Sequence, residues 1–123
     1  MDLSHLTCCV IIDTKVKDAV EASNDCPCIH YIYPPYNDLP GILHSMQVDC
    51  KNSTAIVCIA SSHSIQYIKS IIDNIETINH LHISYVCVGQ EFDFTNFPDV
   101  IAFYNNRISA NEFDFIMHKA KFI

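Results

Sequence analysis

The chain has no tryptophan and only two glycines, Gly41 and Gly89, in 123 residues. A loop that cradles phosphate needs several glycines, because its backbone N–H groups must close on the ligand without Cβ atoms in the way. Dinucleotide-binding and P-loop chemistry are therefore excluded, flavin held by such a loop is excluded with them, and no cofactor is expected. Basic residues are scarce as well: 7 Lys and Arg stand against 14 Asp and Glu, a formal net charge of −7. With no basic stripe to displace counterions from a phosphate backbone, nucleic acid is not an expected partner. Long apolar runs are also missing. Leu6–Ile12 is too short to span a bilayer, no basic segment precedes it, and Asp13 closes it without a small-residue cleavage site. Neither a signal peptide nor a membrane anchor is read, and a cytoplasmic location is expected.

What is present is an apolar chain. Half its residues are hydrophobic and 17% are charged, so it carries enough material for a core and does not have the composition of a disordered segment. At this length folding can bury roughly two-thirds of the unfolded chain's surface, and a single domain over residues 1–123 is expected. The chain ends at Lys121-Phe-Ile123 directly after a helical pattern, which fits a piece of something longer. Seven cysteines is an odd count. Cys8, Cys9, Cys26, Cys28, Cys58 and Cys87 sit inside strand-like runs, which points to reduced thiols. Asn52-Ser53-Thr54 matches a glycosylation acceptor, without meaning in a chain that has no route to secretion.

Apolar runs that are unbroken, rather than alternating, belong to strands covered on both faces. Leu6–Ile12, Thr54–Ala60, Ile83–Val88 and Val100–Tyr104 read this way, and Cys28–Tyr33 has strand composition ended by Pro34-Pro35. Between them lie helical patterns. Thr14 caps a short first helix with Val16, Ala19 and Val20 inward. Asp38 caps a second with Leu39, Ile42, Leu43 and Met46 inward, ending near Cys50. Ser61 and Ser62 cap a third with Ile65, Ile68, Ile71, Ile72, Ile75 and Ile78 on one face. Ser109-Ala-Asn-Glu112 reads as a capping box before Phe113, Ile116, Met117 and Ala120. Gln90–Asp99 carries Pro98 and no helical period, so a fourth helix is weak or missing there. The alternation predicts one five-stranded parallel sheet, doubly wound with right-handed crossovers, in an α/β/α architecture of the receiver or flavodoxin type.

In such sheets ligands sit at the carboxyl ends of the strands. That edge should carry Asp13, the Pro34-Pro35 turn, Ser61-Ser62-His63, Gly89-Gln90 and Asn105-Asn106-Arg107. Through Val10-Ile-Ile-Asp13 and the alternation over essentially the whole length, the chain resembles the response-regulator receiver family. Strand four and the stretch Phe97–Phe103 also resemble receiver-like domains that precede ADP-ribosyltransferase or helical-repeat segments in large eukaryotic chains. The receiver resemblance implies a pair of acids after strand one for Mg²⁺, a phosphoacceptor Asp after strand three, a hydroxyl after strand four and a Lys after strand five. Here Asp13 stands between Ile12 and Thr14, and Ser61, Gly89 and Asn105 stand at the other three positions. One acid offers a divalent cation too few oxygens, and phosphotransfer without nucleophile or balancing ammonium has lost its basis. The resemblance therefore implies a degenerate, non-catalytic receiver-like signalling module, with no bound metal expected.

The alternative is a small hydrolase with Ser61 or Ser62 as nucleophile, His63 as base and Asp13 as orienting acid. Against it, the chain has no glycine-rich elbow, and adjacent serines are natural helix caps. Cys26-Pro-Cys28-Ile-His30 has soft metal-ligand types but no second ligand pair, and the remaining histidines are scattered. Aromatic residues gather at Tyr31, Tyr33 and Tyr36, and again at Phe92, Phe94, Phe97, Phe103 and Tyr104. With Phe113, the second group points to a surface between Phe92 and Phe115 that engages a protein partner or a second copy of the chain.

Overall fold

Each strand of the sheet carries apolar side chains on both of its faces, and this is what forces helices onto both sides. The structure is a computed structural model that describes residues 7–22, 28–49, 53–75, 82–90, 93 and 95–121. In chain order the elements are β1 (Thr7–Asp13), β2 (Ile29–Ile32), α1 (Leu39–Asp49), β3 (Ser53–Ser61), α2 (Ile65–Asp73), β4 (His82–Val88), β5 (Val100–Tyr104) and α3 (Ala110–Lys121). The five strands are all parallel in the order β2-β1-β3-β4-β5, a flavodoxin-like α/β sheet as the alternation predicts. No helix among the described residues is long and apolar enough to cross a membrane.

Successive strand residues point to opposite faces, so odd and even positions sort into two cores. Cys9, Ile11, Ile56, Cys58, Ala60, Tyr85 and Cys87 lie under α1 and α2 with Leu39, Leu43, Ile65, Ile68 and Ile72. Cys8, Val10, Ile12, Val57, Ile59, Val86 and Val88 lie under α3 with Phe113, Ile116, Met117 and Ala120. The five described cysteines, Cys8, Cys9, Cys28, Cys58 and Cys87, are all buried in these layers. Cys26 and Cys50 fall outside the described residues.

The predicted capping box forms in both directions: Glu112 N–H donates to Ser109 Oγ at 3.2 Å, and Ser109 N–H donates to Glu112 Oε1 at 3.1 Å. This satisfies two donors that the first turn of α3 would otherwise leave open.

Three expectations are corrected. The first helix shrinks to a 3₁₀ turn, Lys17–Ala19, whose N-cap is Val16 and not Thr14. Of its inward candidates only Val16 is buried, while Ala19 and Val20 are half-buried. Too little apolar surface lies on one side of this segment to hold a helix against the sheet. Instead the segment is stitched to the entry of α3, with Ile108 N–H on Ala19 O at 2.7 Å and Glu21 N–H on Ile108 O at 2.9 Å. Arg107 pairs with Glu21 across the same seam. Second, the N-cap of α2 is Ser64, not Ser61 or Ser62. Third, Phe113 is completely buried under the sheet and presents no surface to a partner.

The stretch before β5 is turn and coil in its described residues, in place of a regular fourth helix. Lys69 of α2 ties it down, reaching Asp73 at 3.2 Å and Asp99 at 3.1 Å. The expectations for Ile78 and for the side chain of Met46 fall outside the described residues.

The two phenylalanines of α3 provide a test of its facing, since Phe113 is fully buried and Phe115 is 63% exposed. Phe113→Ala should lower unfolding free energy by about 3–5 kcal/mol, a large part of the stability of such a domain. Phe115→Ala should stay within about 0.5 kcal/mol. Urea unfolding followed by circular dichroism separates the two.

Candidate functional site

Asp13 is the last residue of β1 and has no solvent exposure. A carboxyl group buried at a strand end needs donors, and it has two. Lys15 N–H donates to Oδ1 at 3.1 Å, and the Tyr36 hydroxyl donates to Oδ2 at 2.8 Å. Tyr36 reaches it from the loop after β2, where the Pro34–Pro35 peptide is cis and Tyr36 itself has φ of 67°. A bulky residue in the left-handed region is costly unless the surroundings hold it there. Here Tyr36 N–H bonds Tyr33 O at 2.9 Å, Leu39 N–H bonds Tyr36 O at 3.2 Å, and the ring lies 6.0 Å from that of Tyr67.

At the start of α2, Ser61 Oγ donates to Ser64 Oγ at 3.0 Å, and Ser64 is buried. Burial pushes the Tyr36 phenol up to about 12; the Ser64 hydroxyl opposes this, and the bond to Asp13 adds to it. Beneath it, burial and the nearby Asp13 push the Cys58 thiol up to about 12, and burial pushes Cys87 up to about 11. These are protonated, inert groups, far from the lowered thiol pKa that nucleophilic cysteines need. Tyr85, whose hydroxyl has no hydrogen-bond partner among the described residues, is also raised, chiefly by burial.

The predicted edge residues fall where the topology puts them, but they do not form a relay. Ser61 and Ser62 are half-buried and His63 is exposed. The Ser62 hydroxyl lies 3.7 Å from where a Cβ on Gly89 would stand, and Gly89 adopts a φ of 128° that side-chain-bearing residues rarely take. His63 faces outward over a shallow groove with Gln66, Tyr67 and Ser70. Among the described residues no hydrogen bond joins His63 to Ser61, Ser62 or Asp13, whose oxygens face Tyr36 and Lys15 instead. Asp13 orients a tyrosine here, not a histidine.

A divalent cation of the Mg²⁺ kind demands an octahedral set of oxygens. At the end of β1 stands one carboxyl, that of Asp13, and each of its oxygens already accepts a hydrogen bond. Among the described residues no three His, Cys, Asp or Glu side chains converge as a metal site. The residues present do not fit the cation.

The aromatic surface is only partly as expected. Phe92 and Phe94 lie outside the described residues. Phe97, Phe103 and Tyr104 are half-buried. Phe103 packs on the α1/α2 side and Tyr104 on the α3 side, so the two neighbours straddle the edge of β5 and do not share a patch. Tyr36 and Ser64 were not among the sequence candidates. The signal for Tyr36 was its place after Pro34-Pro35 at the carboxyl edge; for Ser64 it was the next hydroxyl after Ser61-Ser62.

No protein-family model, no curated protein and no solved structure matches this chain.

Removing the phenol hydroxyl with Tyr36→Phe keeps the ring and strands one buried oxygen of Asp13, which should cost about 1–3 kcal/mol. Stability should also fall in alkali. The folded state holds the protons of Cys58, Cys87 and Tyr36 more tightly than the ordinary 9.0 of a thiol and 10.0 of a phenol, so their contribution is complete below about pH 9. It is lost as pH rises through the folded values of about 11 to 12. Urea midpoints measured from pH 8 upward check both the direction and the window.

Proposed function

We propose that this chain is a non-catalytic, receiver-like signalling module that acts by binding a protein partner or a second copy of itself. The observation that carries the reading is the setting of Asp13: the one acid at the end of β1 is buried and held by Lys15 N–H on one oxygen and the Tyr36 hydroxyl on the other. Ser61, Gly89 and Asn105 occupy the remaining strand ends, none of which supplies a carboxylate nucleophile or a balancing ammonium. The fold is kept and the edge is held by hydrogen bonds, an arrangement that serves recognition better than group transfer.

The surface favoured for recognition runs along the outer edge of β5. That strand has a neighbour on one side only, its residues are all half-buried, and the exposed Phe115 lies on α3 beyond it. An edge strand with aromatic flanks offers anchoring rings to a partner, beside a backbone on which Ile101 O accepts a bond from Lys119 Nζ at 3.0 Å. The interior location of the protein in a cell belongs to the same proposal: a reduced, cytoplasmic setting suits its buried thiols.

Two measurements test the reading. Backbone amides of Asp13, Ser61, Gly89 and Asn105 should stay silent in NMR titrations with Mg²⁺ and a fluoroberyllate phosphoryl mimic; saturable shifts there would overturn it. In sedimentation velocity, Phe97→Asp should weaken association roughly thirtyfold while leaving the circular dichroism spectrum unchanged. A wild-type chain that stays monomeric at high concentration points to a different protein as partner, and normal association by the variant removes this face.

A further inference from the structure

At the end of β2 a cavity opens beside the Asp13 network, sharing Tyr36 with it and lying away from the β5 edge. Its volume is about 210 Å³, and its walls include Ile32, Tyr33, Pro35, Tyr36, Asp38 and Ile42. Pockets for drug-sized ligands run ~300–1,000 Å³, so this one suits a compact head group. Aromatic and aliphatic surface dominates the walls; among the described residues the one charged group lining it is the Asp38 carboxylate, and none is basic. In a chain of net charge −7 an anion is repelled from such a site. A neutral apolar occupant would shield the carboxylate from water and give it nothing in return. A cation with an apolar skin satisfies walls and carboxylate together.

Tyrosine faces attract such cations through the negative face of the ring. The fold already uses this contact twice, with Lys17 Nζ 4.6 Å above the Tyr31 ring and Lys69 Nζ 5.4 Å from the Tyr85 ring. At the cavity, Tyr33 is 63% exposed and Tyr36 is fixed by its hydroxyl bond to Asp13, so one ring is open to a ligand and the other is held in place beforehand. We propose that this cavity binds an alkylammonium head group of the trimethylammonium type, seated against Tyr33 and Tyr36 with Asp38 as counter-charge. This assignment does not depend on the receiver-like reading.

The test is an amide NMR titration of the full chain with choline and, separately, with its neutral isostere in which a tert-butyl group replaces the trimethylammonium. Choline should shift the amides between Ile32 and Ile42 saturably and bind roughly tenfold tighter than the isostere. Tyr33→Leu and Asp38→Asn should each weaken choline several-fold. Both positions are exposed, so neither substitution opens the core and the fold is retained. Equal binding of the two probes overturns the proposal, as do unchanged affinities in both variants or shifts scattered over the acidic surface that vanish with sodium chloride. A peptide carrying trimethyllysine distinguishes the source: tighter binding than choline assigns the head group to a protein, weaker binding to a small metabolite, and either result keeps the site.

Discussion

A carboxyl group with no exposure at the end of a central strand dictates much of what surrounds it. Asp13 must be supplied with donors from its own neighbourhood, because water does not reach it. Lys15 N–H supplies one and fixes the turn out of β1. Tyr36 supplies the other, and for its hydroxyl to arrive there the loop after β2 must take a left-handed residue. That residue's carbonyl then accepts Leu39 N–H, which sets where α1 begins and so lays Leu39 and Leu43 on the sheet. One buried group thus ties the turn out of β1 to the loop after β2.

The same economy explains why the edge is poor in chemistry. A hydrogen bond from a phenol makes the carboxyl a structural acceptor, and its two donors fix how the group is turned. Burial that raises Tyr36, Cys58 and Cys87 keeps each of them protonated, so the groups nearest Asp13 are donors and not nucleophiles.

The sheet was legible because burial on both faces leaves a plain trace. Thr54–Ala60 and Ile83–Val88 contain no alternation of polar and apolar residues, and they are β3 and β4 within a residue or two at each end. The isoleucines of α2 and the capping box of α3 were legible for the same kind of reason, each being a local pattern with a local cause. The first helix misled because Val16, Ala19 and Val20 have helical spacing, yet two of the three pack only partly and the segment pairs with Ile108 instead. That pairing joins residues far apart in the chain, and nothing in the local pattern announces it. Tyr36 was hidden for a related reason: its role depends on a backbone angle and a contact 23 residues away. Among the serines, spacing alone could not say which hydroxyl turns inward. Phe113 and Phe115 show how finely the answer divides, since a two-residue step around a helix separates the core from solvent.

The cavity and the β5 edge lie at opposite ends of the sheet. In the order β2-β1-β3-β4-β5 four strand spacings separate them, a distance of about 19 Å at the usual ~4.8 Å per strand. Substitutions that far apart with no shared partner act independently on stability and binding. An occupant beside Tyr33 therefore touches nothing at Phe97, and any influence of one on the other has to pass through an element with two arrangements. Tyr36 stands between the two, because it lines the cavity while its hydroxyl holds Asp13 at the end of β1. A ligand that moved the ring would have to break or lengthen the bond to Asp13, and the cost of leaving that carboxyl unpaired opposes the movement. The network that stabilises the edge is thus also what keeps the two surfaces uncoupled.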